Sequence, residues 1–115
     1  MNVENKHEQN VVLSEDVIAK IVGVSASEIK GVCGLASSPD FRKLFASKES
    51  KSVNVRNADG TVAIDLFIKL ATGVNIKSVC SSVQENVKKA VQNMTGQVVS
   101  QVNVYVADID IPYDE

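Results

Sequence analysis

Three aspartates, Asp65, Asp108 and Asp110, are the residues of this chain best spaced for acid–base chemistry. Asp65 sits in the alternating run VAIDLFIKL, and Asp108 and Asp110 stand two apart in VYVADIDI, so each can share a strand face with a second carboxylate. Two carboxylates divide the roles of proton donor and base when they stand roughly 5 to 9.5 Å apart. A two-apart aspartate pair also has a simpler use, because charge on a strand edge discourages edge-to-edge pairing. That simpler use fits Asp108 and Asp110 better. Nucleophilic chemistry lacks its usual base, since the only histidine, His7, lies in the polar opening MNVENKHEQN. The two cysteines, Cys33 and Cys80, are too few for a structural zinc site of four ligands and read as small reduced core residues. No catalytic, metal-binding or cofactor-binding set is expected, and no enzyme.

Two further segments invite a binding role. Gly31-Val32-Cys33-Gly34 spells the G-x-x-G of KH-type RNA modules, whose loop clamps a nucleic-acid backbone. Its middle residues are Val and Cys, however, and 12 basic against 14 acidic residues give a net charge of −2. No field draws phosphates toward such a chain, so no nucleic-acid partner is expected. A helix stop followed by a short strand explains the four letters. The second segment is Phe41, Arg42, Lys43, Leu44 and Phe45, which puts two of the three phenylalanines in the polar connector SSPDFRKLFASKESKS, residues 37–52. Connectors often carry binding surfaces, which makes these five a candidate partner contact. The alternative is that Phe41 and Phe45 tuck under the connector and close the core.

The elements that would position these residues follow from periodicity. Residues 1–9 read as a tail, and Asn10 to Leu13 as a short edge strand. Ser14 caps a helix with Glu15 and Asp16 in its first turn, where the helix dipole favours them. Val17, Ile18, Ile21, Val22, Ser25 and Ile29 form the apolar stripe of that helix, and Gly31 stops it. Gly23 inside it suggests the close approach of another backbone. Val32 to Ala36 and Val53 to Arg56 read as strands, Asn57 to Gly60 as a turn, and Thr61 to Leu70 as the second arm of a hairpin. That arm puts Val62, Ile64, Leu66, Ile68 and Leu70 on one face. Ala63, Asp65, Phe67 and Lys69 share the other, which is either solvated or covered by a partner. A second helix runs from Asn75 or Ile76 to Thr95, with the stripe Ile76, Val79, Cys80, Val83, Val87, Ala90, Val91 and Met94 and a left-handed cap at Gly96. Val98 to Ile111 is the last strand, and residues 112–115 an acidic end.

At 115 residues, with 44% apolar side chains and no Trp, the chain has room for one aliphatic core in a single domain over residues 10–111. The fold class is α+β: a small mixed β-sheet with both amphipathic helices on one face, in the order β-α-β-β-β-α-β. Its apolar runs are too short for a membrane span and its opening has no signal-peptide core, which sets the cytoplasm as the expected location.

IAKIVGVSASEIKGVCGLAS, VQENVKKAVQNMTG and VNVYVADIDI, in that order and spacing, resemble the alkaline-shock or envelope-stress-response protein family of Gram-positive bacteria. The resemblance spans roughly residues 10 to 111. It implies a cytoplasmic α+β protein without catalysis; some members self-associate and are held at the inner face of the membrane by a separate small membrane protein. Other members are linked to fatty-acid synthesis, which makes a regulator binding acetyl-CoA carboxylase the alternative to a scaffold or adaptor in cell-envelope homeostasis. The FRKLF connector has no close counterpart in the family pattern, and the acidic extension of stress-type members is short here.

Overall fold

A computed structural model of the chain describes residues 13–36 and 52–110. Helix α1 spans Glu15–Ser27, and the Val17 amide donates to Ser14 Oγ at 3.2 Å, as the capping pattern predicts. It ends a turn earlier than the expected stop at Gly31. Buried Ser25 turns its hydroxyl back onto the Ile21 carbonyl at 2.8 Å. The Ile29 and Val32 amides then reach back three residues, to Ala26 and Ile29, and unwind the chain.

Helix α2 spans Ile76–Thr95, with Asn75 Oδ1 accepting from the Ser78 amide and Gly96 closing it at φ 75°. Val83, Val87 and Val91, four residues apart, are fully buried. Ile76 and Met94, at the two ends of the expected stripe, are 49% and 66% exposed. Asn75→Ala removes the cap and should lower stability by about 1 kcal/mol, read by urea unfolding.

Four strands pair among the described residues: β1 (Val32–Leu35), β2 (Val53–Ala58), β3 (Thr61–Ala71) and β4 (Val98–Asp110). The sheet is mixed, as expected. β4 runs parallel to β3 along its whole length, from Thr61↔Val98 to Ala71↔Asp110. The other side of β3 is shared by two antiparallel strands, β2 along residues 61–66 and β1 along residues 68–70. Phe67 is the joint between them: its carbonyl accepts from the Ala36 amide at 2.8 Å and its own amide donates to the Ser52 carbonyl at 2.9 Å. β1 and β2 therefore follow one another along the same edge of β3 and meet at Phe67. The expected β2–β3 hairpin is present and longer than its first arm suggested, closing through Asp59 and Gly60 at φ 52° and 81°.

The alternation of β3 decides where the core lies. Val62, Ile64, Leu66, Ile68 and Leu70 are all 0% exposed and pack with Ile18, Val22 and Ala26 of α1 and the three valines of α2. Both helices thus cover one face, and Asn86 Nδ2 ties them by donating to the Ser25 carbonyl at 2.8 Å. The neighbour of Gly23 is a side chain rather than the backbone expected: a Cβ there would meet Leu35 Cδ1 at 3.2 Å. From α1 onward the element order matches the expectation. Residues 10–12 of the expected first strand lie outside the described residues.

Candidate functional site

With both helices on one side, the other face of the sheet is left to the odd-numbered residues of β3 and their register partners. Asp65 stands beside Asn54 of β2 and Asn103 of β4. Its carboxylate accepts from both flanking strands: Arg56 Nη2, two residues beyond Asn54 on β2, donates to Oδ1 and Oδ2 at 3.2 and 3.1 Å, and Asn103 Nδ2 of β4 donates to Oδ1 at 2.9 Å. The Arg56 side chain is 54% exposed and that of Asp65 19%, so the ion pair sits at the surface with its acid held in place from two strands. Two residues along, Phe67 and Tyr105 face each other across the strands with ring centroids 4.9 Å apart and planes at 19°, a stacked pair. Tyr105 remains 47% exposed. Lys69 follows on the same face, half buried and without an ion pair among the described residues.

This arrangement does not assemble an acid–base pair. Asp108 is in register with Lys69, four residues along β3 from Asp65, which is about 13 Å at strand rise and beyond the reach of paired carboxylates. Asp108 instead accepts the Ile109 amide at 2.9 Å. The G-x-x-G segment is no open loop: Val32 and Gly34 pair with Leu70 and Lys69, and Gly31 lies against Val79 and Val74. Cys33 is exposed on β1, contrary to its expected place in the core. Cys80 is half buried in α2, and burial pushes its thiol up. The candidate contact Phe41, Arg42, Lys43, Leu44 and Phe45 lies outside the described residues.

A shallow groove of about 470 Å³ runs between Ser81, Gln84, Glu85 and Lys88 of α2 and residues 99–102 of β4. Gln84 donates to the Val102 carbonyl and Gln92 accepts the Val99 amide beside it. The helix glutamines thus satisfy the backbone at the start of β4. What the sequence did not single out is Asn103 and Tyr105 as partners of Asp65 and Phe67, because those pairs depend on the β3–β4 register.

The alkaline-shock protein family, described as having a cell envelope-related function, has a family model that matches residues 3–111. The chain belongs to this family. Its curated relatives include Uncharacterized protein Spy1614 of Streptococcus pyogenes, 39% identical over 104 residues, with 86% of each chain covered. Uncharacterized protein YqhY of Bacillus subtilis is 31% identical over 112 residues, covering 95% of this chain and 83% of its own. Among solved structures, a variant of MamM CTD superposes with a TM-score of 0.53 at 14% identity, covering 83% of this chain and 95% of that domain. A copper form of the same domain gives 0.52 at 11% identity, over 87% of this chain and 100% of that one. At that identity the family member shares a fold with MamM CTD and no more. No helix among the described residues is long and apolar enough to cross a membrane.

Proposed function

We propose that this family member is a non-enzymatic, self-associating scaffold or adaptor in cell-envelope homeostasis, working in the cytoplasm by surface contacts. The observation that carries the reading is the open sheet face. Its aromatic pair is stacked but still exposed, and its acid is fixed from two neighbouring strands. A face built this way is ordered before anything docks on it, so docking costs little further side-chain ordering. The envelope-related description of the family supports the setting. Light scattering of the purified protein from micromolar to millimolar concentration is the test. Reversible growth in mass is the expected result, and a constant monomer mass would overturn self-association.

A further inference from the structure

We propose that the open face docks a second copy of this chain, sheet against sheet with strands antiparallel, about a two-fold axis at the Phe67–Tyr105 stack. This rests on the self-association reading and names its surface.

Charge placement selects the partner and the orientation. Asp65 and Lys69 lie two residues before and two after Phe67 on the same face of β3, about 7 Å to either side of it. Two face-to-face arrangements keep two-fold symmetry with the strands of the two copies aligned. An axis along the strands sets Asp65 against the partner's Asp65 and Lys69 against the partner's Lys69, a like-charge juxtaposition at both places. An axis across the strands at Phe67 sets Asp65 against the partner's Lys69 and Lys69 against the partner's Asp65. The face is self-complementary in that arrangement, with the aromatic pairs meeting at the centre. Arg56 and Asn103 hold the Asp65 carboxylate in position from within its own copy, while Lys69, unpaired among the described residues, has a long side chain to reach across.

Size sets the strength. β3 has 11 residues and one strand's width lies on each side of it. Such a face measures about 36 by 14 Å, or roughly 500 Å² per copy. Stable interfaces bury about 800 Å² per partner, so this one belongs to the weak, reversible class. The dimer therefore forms and dissolves with concentration.

Lys69→Glu sets an acid against the partner's Asp65 at both symmetric places and should weaken association roughly tenfold or more in sedimentation equilibrium, with an unchanged circular dichroism spectrum. Orientation is read separately in a Cys33→Ser, Cys80→Ser background. Position 63 of one copy meets position 71 of the other across this axis, so a mixture of Ala63→Cys and Ala71→Cys chains should be joined by a short bismaleimide. Neither chain alone should be joined to itself. A wild type that associates while Lys69→Glu associates equally well would overturn the proposal and leave self-association standing, as would Ala63→Cys joining to itself in preference to the mixture. A wild type monomeric at every concentration would overturn both.

Discussion

Leu66→Ala will lower the unfolding free energy by about 3 to 4 kcal/mol, in the middle of the range for buried leucine truncations. Leu66 is 0% exposed at the middle of the central strand. Its backbone neighbours are Val53 of β2 on one side and Val104 of β4 on the other, and the two helices lie over its side chain. Strands paired on both flanks cannot slide inward to fill a lost isobutyl group, so most of the cavity persists. Domains of this size have only about 5 to 15 kcal/mol of stability, and the loss would move the urea midpoint far down. A loss below about 1 kcal/mol would mean that the layer between helices and sheet is not the core.

Gly31→Ala is the second large effect, at about 2 to 4 kcal/mol, and a companion substitution separates its two causes. Gly31 has φ 104°, where a side chain is strained, and a Cβ there would lie 3.1 Å from Val79 Cγ2 and 3.3 Å from Val74 Cγ1. Its carbonyl also accepts the Ala71 amide at 2.9 Å, the bond that starts β1 in register with the end of β3. Relief by a backbone shift would therefore disturb the sheet. Gly73 has a similar φ of 90° with nothing within 4 Å of its would-be Cβ. Gly73→Ala should cost only the backbone strain, about 1 kcal/mol. Equal losses at the two positions in thermal unfolding would show that the contact with α2 contributes nothing.

These residues also mark what the sequence could tell. The alternation of β3 and the four-residue spacing of Val83, Val87 and Val91 made the core readable, because burial imposes a period on any strand or helix that has one dry face. The Ser14 and Gly96 caps were readable because each meets a local backbone need, while the Asn75 cap was not singled out. The early end of α1 was not readable, since it is made by three-residue backbone turns at Ile29 and Val32 that leave no mark in the apolar spacing. Nor was the split edge strand: nothing in the letters on either side of residues 37–51 says that Ala36 and Ser52 bond to the carbonyl and the amide of one residue, Phe67. The site was half legible. Asp65, Phe67 and Lys69 share a face by strand periodicity alone. Their partners Arg56, Asn103 and Tyr105 come from strands whose register is a tertiary property, set by a hairpin on one side and a helical crossover on the other.

Sedimentation equilibrium over a wide concentration range, with the wild type and Lys69→Glu in the same rotor, tests the central claim most directly. The wild type should rise reversibly from the 12.3 kDa of one chain toward twice that mass, while Lys69→Glu stays near the lower value over the same range. A wild type that holds 12.3 kDa at every concentration would contradict the account of this chain as a self-associating scaffold.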